Sequence, residues 1–256
     1  MLKNLPILID FDGVLNLDGK PPIDAEYFLE YIIKNKIPSY IISNSTLKTG
    51  KDVQTYLKDF ALPCSIPCMT TVDATVQYLN KNKLKASVYC DEKIKRYFNK
   101  FISDNNPDAV VIGDIGNKWS YKILNEIFIK VLNDADIIAM QMNNYWVKNN
   151  EYLLDAGSFI TAIEYATSKK AKLIGKPSSV YFNTALNNLD WNLKKGFIMI
   201  GDDINSDIVG AQELGGKGIL IYTGRTTKEQ SKKSAIKPYK EVENLSEIVD
   251  FLSLTF

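Results

Sequence analysis

A chain of 256 residues, 45% of them hydrophobic, can bury one large core or two modest ones, so the expectation is one domain with an insertion or two domains. Its 31 basic and 30 acidic side chains leave a formal charge of +1, which excludes a global field for nucleic acid or an anionic membrane, and neither is an expected partner. Three cysteines, an odd count, argue against a disulfide framework and for a reducing compartment, and the lack of any histidine excludes histidine-based acid, base or ligand chemistry.

The first predicted element is a buried strand. Leu5, Ile7, Leu8 and Ile9 are apolar, and Asp10-Phe11-Asp12-Gly13 ends the run. Such a run reads as a parallel strand whose carboxyl end opens into a loop, the place where open α/β sheets bind ligands. Gly13 permits the chain to leave strand geometry after Asp10, so that Asp10 and Asp12 turn toward one ligand. Asp10 also interrupts the only apolar stretch resembling a leader, so a soluble, cytoplasmic protein is expected. Turn residues fill 16–22, and Asp24 is the expected cap of a helix over 25–36 with Phe28, Tyr31 and Ile32 inward. A second strand over 38–42 gives way to Ser43-Asn44-Ser45-Thr46, a helix follows over 49–57, and Pro63 and Pro67 mark a junction.

From about residue 71 the alternation restarts: helix 74–80, strand 86–90, helix 93–102, strand 109–112, helix 120–132, strand 136–140 and a helix near 159–167. A strand over 172–174 then ends in Gly175-Lys176-Pro177-Ser178 and leads to a helix through Leu186. Strand 197–200, an acidic loop over 201–207, helix 208–214 and strand 218–222 follow. Alternation of this kind implies an α/β fold of parallel sheets with helices on both faces.

Four predicted strands thus end in polar groups: Asp10 with Asp12, Ser43 with Asn44, Lys176, and Asp202 with Asp203 and Asp207. Gathered at one edge of one sheet they would offer carboxylates, a hydroxyl and an ammonium, an inventory suited to phosphoryl transfer. Asp10 and Asp202 would supply oxygen ligands to Mg2+, while Ser43 and Lys176 would neutralise phosphate oxygens. Asp10, ionised beside the metal, would attack phosphorus, and Asp12 would hold a proton for the leaving oxygen.

At these residues the chain resembles the haloacid dehalogenase-like (HAD) superfamily. The resemblance rests on D-x-D-G-V-L at Asp10 to Leu15, the Ser43-Asn44 strand end, G-K-P-S at Gly175 to Ser178, and G-D-x-x-x-x-D at Gly201 to Asp207. It implies a nucleophile at Asp10, an acid/base at Asp12, and a metal held by Asp10, the Asp12 backbone carbonyl and Asp202. Ser43, Asn44 and Lys176 would contact the phosphate; Asp207 would orient Lys176 or a metal-bound water, with Asp203 in support. The long stretch between Thr46 and Lys176 resembles the NagD-like subgroup: a Rossmann-like parallel-sheet core over 1–70 and 172–256, with an inserted α/β cap over 71–171. The run through Ile163-Glu164-Tyr165-Ala166, with Ile200-Gly201-Asp202-Asp203 and Gly210-Ala211-Gln212, is similar to the phospholysine/phosphohistidine/pyrophosphate phosphatase branch. The implied activity is Mg2+-dependent hydrolysis of a small phosphorylated metabolite, a phosphomonoester or pyrophosphate, through an aspartyl-phosphate; a homodimer is an assembly the subgroup allows.

Rival readings use the same aspartate. A dehalogenase needs neither Asp12 nor Mg2+. A phosphotransferase or phosphomutase would pass the phosphoryl group on, and a phospho-accepting switch also clusters Asp, Ser/Thr and Lys around Mg2+ but does without Asp12. In the plainest alternative, Asp10 and Asp12 form a turn, Lys176 is a solvated loop lysine, and Asp202, Asp203 and Asp207 are helix N-terminal residues. Gly210 to Lys217 mimics a phosphate loop, but its glycines precede a strand instead of following one. Tyr145 and Trp146 fall in an expected polar loop of the second unit, as packing residues or as part of a specificity surface near 144–146 and 153–159.

Overall fold

The computed structural model describes residues 4–148 and 151–254. In chain order the strands are β1 (Ile7–Asp10), β2 (Ser39–Ser43), β3 (Cys68–Thr70), β4 (Ala86–Tyr89), β5 (Ala109–Ile112), β6 (Asp136–Ala139), β7 (Tyr145–Lys148), β8 (Glu151–Leu154), β9 (Lys172–Leu173), β10 (Ile198–Gly201), β11 (Lys217–Ile221) and β12 (Lys240–Val242). The chain packs as two compact units. One takes in the residues up to Ser43, Gly50–Met69 and the chain from Lys176 onward; the other is Asn44–Thr49 with Thr70–Gly175.

The first unit is built on a six-stranded sheet in the order β12-β11-β10-β1-β2-β3, with parallel pairing at every step from β12 to β2. β1 lies inside it, Ile9 opposite Ile200 on one side and Ile41 on the other. A strand covered on both faces must be apolar at successive positions, which is why Ile7, Leu8 and Ile9 are all buried. Ile7, Ile9, Ile198, Ile200, Ile219 and Ile221 share one core with Phe28, Leu29 and Ile32 of helix Ala25–Lys34, Val53 and Leu57 of helix Gly50–Asp59, and Ile248, Val249 and Leu252 of helix Leu245–Ser253. Leu220 joins Ile204 and Ile208 in a separate cluster. Each large side chain so buried contributes about 1.5–3 kcal/mol. The second unit repeats the scheme with a parallel sheet, β4-β5-β6-β9, and its own core of Val110, Ile112, Ile127, Val131, Ile137 and Ile160.

The α/β fold with a Rossmann-type core is as the sequence leads one to expect, and five details depart from it. The strand at 172–174 is β9, which pairs with β6 in the second sheet, so Lys176 does not end a strand of the first sheet and the chain re-enters the first unit only at Lys176. The helix expected over 93–102 breaks into one α turn, Glu92–Lys95, and a 3-10 turn, Arg96–Phe98. Ala86 explains the break, because its N–H donates to the Phe101 carbonyl and its carbonyl accepts from Ser103, drawing the backbone into a bridge beside β4. Asp24 stands at the N-cap position of helix Ala25–Lys34 without capping it; its carboxylate accepts from Ser246 N and Oγ, at the start of helix Leu245–Ser253. Tyr145 and Trp146 lie not in a loop but on β7, paired antiparallel with β8, where both are exposed. Finally, the acidic loop over 201–207 closes into a π-helix, Ile204–Val209, that already contains Asp207.

Candidate active site

β1 ends at Asp10, a buried residue (6% exposed) whose carboxylate accepts from the next N–H, that of Phe11, at 2.8 Å. Gly13 takes a left-handed φ of 87°, and its N–H donates to the Asn16 carbonyl, so the chain folds into a tight turn immediately beyond the strand. The Asp12 carboxylate in that turn accepts from Asn16 Nδ2 at 2.8 Å and from Ser43 Oγ at 2.9 Å, which joins the ends of β1 and β2.

Lys176 is brought to the same place by the Gly175-Lys176-Pro177 loop. Ser178 caps helix Ser179–Asn187, accepting from Val180 N, and Pro177 packs so closely on Gly210 that a Cβ there would overlap its ring. The Lys176 ammonium lies 2.7 Å from Asp10 Oδ1 and 2.6 Å from Asp207 Oδ1, and Asp207 is fully buried. The π turn sets Asp207 in that position: Asp203 Oδ1 caps it, accepting from Asn205 N and Ser206 N, while Asp203 N donates to Asp207 Oδ2. Asp203 Oδ2 also pairs with Arg225 at 3.1 Å. Asp203 therefore supports the segment that carries the other acids.

Asp202, at the end of β10, accepts from Arg225 N at 2.6 Å. One oxygen each from Asp10, Asp202 and Asp207 can be chosen so that all lie within 4.8 Å of one another, and all three residues are buried. The electrostatic consequences are large. Burial first, then the charge of Asp207, raises the Asp10 carboxyl well above its usual range against the opposing pull of Lys176. The same two causes push Asp202 up to about 6. Burial alone would lower the Lys176 ammonium, but Asp10 and Asp207 outweigh it, and Lys176 stays charged. Among the described residues this cluster holds three acidic side chains and one ammonium, which pairs with two of them, so acid exceeds base where water hardly reaches. An all-oxygen donor set with that imbalance fits a hard divalent cation.

Of the residues expected from the sequence, Asp10, Asp12, Ser43, Lys176, Asp202, Asp203 and Asp207 lie together in the first unit by these bonds. Asn44 falls to the second unit, where its carbonyl accepts from Thr71 Oγ1 at 3.5 Å. Other participants escaped sequence reasoning. Tyr181, fully buried, donates its hydroxyl to the Ser43 carbonyl at 2.6 Å and accepts from Ser43 N at 3.1 Å. Thr223 Oγ1 donates to the Gly13 carbonyl at 2.6 Å, and Thr226 Oγ1 accepts from Ile204 N at 2.8 Å. The signal for this last group was present: Leu220-Ile221-Tyr222 yields to Thr223-Gly224-Arg225-Thr226, the same passage from apolar run to small polar residues that marked Ser43.

Comparison with known proteins identifies the family and the fold. Residues 7–101 match the haloacid dehalogenase-like hydrolase model, and residues 173–248 match the HAD-hydrolase-like model. The chain is 33% identical to the phospholysine phosphohistidine inorganic pyrophosphate phosphatase of Mus musculus over 253 residues, covering 96% of this chain and 93% of that protein. It shares its fold with the 4-nitrophenylphosphatase of Thermotoga maritima (TM-score 0.85, 23% identity, 96% of both chains) and with NagD from E. coli K-12 (TM-score 0.83, 23% identity, 94% of this chain and 97% of that one). The chain belongs to the haloacid dehalogenase-like hydrolases, as a phosphatase-class enzyme with the NagD-like fold. Among the described residues no helix is long and apolar enough to cross a membrane.

Proposed function

We propose that the protein is a Mg2+-dependent phosphatase that hydrolyses a small phosphorylated metabolite, a phosphomonoester or pyrophosphate, through an aspartyl-phosphate on Asp10. The observation that carries this reading is the buried group of Asp10, Lys176, Asp207 and Asp202, with the Asp12–Ser43 pair beside it. Asp10 and Asp202 would hold the cation with their carboxylates, and the family resemblance adds the Asp12 carbonyl. When bound, the cation supplies positive charge against the phosphoryl oxygens and offsets the repulsion among the acids.

The protein's own groups then divide the work. An Asp10 carboxylate oxygen attacks phosphorus as the bond to the leaving oxygen breaks, and Asp12 gives that oxygen a proton. Water next attacks the phosphorus of the acyl phosphate while Asp12 takes its proton, and cleavage of the bond to Asp10 releases inorganic phosphate and restores the carboxylate. Lys176 has a double duty, holding Asp10 in line and neutralising phosphate oxygens, and the Ser43 hydroxyl exchanges its bond to Asp12 for one to substrate. Asp207 keeps the ammonium in place.

The test is phosphate release from p-nitrophenyl phosphate with Mg2+ and with EDTA, for wild type beside Asp10→Asn. Metal-dependent release that disappears in the variant is the expected result, and inorganic pyrophosphate leads the substrate panel that follows. Turnover retained in Asp10→Asn, with wild-type contamination excluded, would sink the mechanism; slow turnover with a stable phospho-Asp10 would favour the phospho-accepting reading instead.

A further inference from the structure

The carboxylate of Asp202 is held by a turn that belongs to neither of the acidic motifs. Following β11, Thr223-Gly224-Arg225-Thr226 makes four separate approaches to the site. Arg225 N donates to Asp202 Oδ2 at 2.6 Å, and Thr226 N donates to the Asp202 carbonyl at 3.0 Å, so one turn binds both the side chain and the main chain of the same residue. Thr223 Oγ1 donates to the Gly13 carbonyl at 2.6 Å, in the turn beyond Asp10 and Asp12. Gly224 supplies the fourth contact by what it lacks: a Cβ on it would overlap Asp202 Oδ2. Gly13 lies against the same carboxylate, for a Cβ there would overlap Asp202 Cγ. Two glycines thus pack against the carboxylate, one on each of the two turns that Thr223 ties together.

We infer that Thr223-Gly224-Arg225-Thr226 is a positioning clamp that sets the Asp202 carboxylate, relative to the end of β1, for divalent-cation binding. This rests on the assignment of Asp202 as a metal ligand. Carboxylate oxygens of Asp202 and Asp207 lie within 4.8 Å of each other, and like charges that close repel when no cation stands between them. The N–H of Arg225 and the close approach of the two glycine backbones oppose that repulsion and hold the oxygen in place. Preorganisation of this kind shows as affinity for the ion, because the ligand need not be reoriented on binding. The clamp works chiefly through the Arg225 backbone; its guanidinium pairs with Asp203, at the start of the π turn.

The experiment is a titration of the full chain with Mn2+, with free ion read by electron paramagnetic resonance, alongside thermal unfolding without metal. Gly224→Ala should weaken Mn2+ binding at least tenfold, and Thr223→Val severalfold, with Thr223→Ser restoring wild-type affinity because it keeps the donor. Asp202→Asn is the reference for the underlying assignment and should nearly abolish binding. If Asp202→Asn loses the ion while folded Gly224→Ala and Thr223→Val bind it as wild type does, the clamp is refuted and the metal assignment stands. If Asp202→Asn itself binds as wild type does, the assignment falls and the clamp with it. Should Gly224→Ala fail to fold, the Thr223→Val and Thr223→Ser pair decides alone: loss with rescue supports the clamp, and unchanged binding overturns it.

Discussion

Lys176 Nζ meets Asp207 Oδ1 at 2.6 Å with both side chains sealed from solvent, and the same ammonium lies 2.7 Å from Asp10 Oδ1. One cation bridging two buried carboxylates makes Lys176 structural as well as chemical. Removal of one partner from a buried ion pair leaves the other charge without compensation, at a cost of about 3–5 kcal/mol. Lys176→Met should therefore lower the metal-free stability at pH 7 by an amount of that order in urea unfolding, and abolish turnover. Asp207→Asn should cost less, since Lys176 retains Asp10, and the double variant should recover part of the loss. Equal stability of Lys176→Met and wild type at pH 7 would contradict this account.

Asp202 gives a pH dependence whose sign is fixed. Its folded value of about 6 lies above the unfolded value of 3.8, so the folded state takes up a proton that the unfolded state does not. The penalty for burying this carboxylate is present in full above about pH 6 and lifts as the pH falls through 6 toward 4. Without metal, Asp202→Asn should be more stable than wild type at pH 7.5 by on the order of 1–3 kcal/mol, and the difference should vanish near pH 4. Added Mg2+ should reverse the order at pH 7.5 by stabilising the wild type selectively. Calorimetric scans of both proteins over that pH range, with and without the ion, are the check; a metal-free difference independent of pH would refute the cause given.

Asn16 helps to aim Asp12, beside Ser43. Its Nδ2 donates to Asp12 Oδ1 at 2.8 Å while its Oδ1 accepts from Gly19 N at 2.9 Å, so the amide is fixed from both ends. A hydrogen bond to a charged group is worth about 1.5–3 kcal/mol. If that energy is used to orient Asp12 toward the leaving oxygen, Asn16→Ala should lower kcat by about tenfold to a hundredfold with KM changed less than about threefold. Asn16→Asp should be worse, because it opposes a second carboxylate to Asp12. Steady-state kinetics on p-nitrophenyl phosphate separate the two parameters, and a change confined to KM would assign Asn16 to substrate binding instead.

The fold and most of the site were legible because chemistry at strand ends leaves a coarse mark. Asp10, Ser43 and Asp202 each follow a short run of mostly apolar residues of the kind a buried parallel strand requires. Periodicity does not say which sheet a strand joins, and β9 is just two residues long, so its pairing with β6 could not be read from Lys172 and Leu173. The π turn was hidden for a related reason: six residues are too few to establish a period, so the shift it makes, which brings Asp207 inside, leaves no legible pattern. Asp24 shows the limit of local rules, since a helix-capping residue at the right place gives its carboxylate to Ser246, 222 positions away. Tyr181 reads as a core aromatic, and only its hydroxyl, invisible to any period, ties it to Ser43.

Tyr181 tests that last distinction directly. Tyr181→Phe keeps the buried ring and removes the hydroxyl, taking away a donor to the Ser43 carbonyl and an acceptor for the Ser43 N–H. Deleting one partner of buried polar groups costs about 1–3 kcal/mol, so the variant should lose stability by that amount although its packing is unchanged. The same bonds set the backbone from which Ser43 Oγ reaches Asp12 Oδ2 at 2.9 Å. A looser Ser43 should cost catalysis too, which predicts a kcat/KM reduced about tenfold at temperatures well below the transition, where the variant is fully folded. Full activity there, together with the stability loss, would make Tyr181 a core residue only; loss of both places it in the chain of contacts that runs from helix Ser179–Asn187 through Ser43 to Asp12.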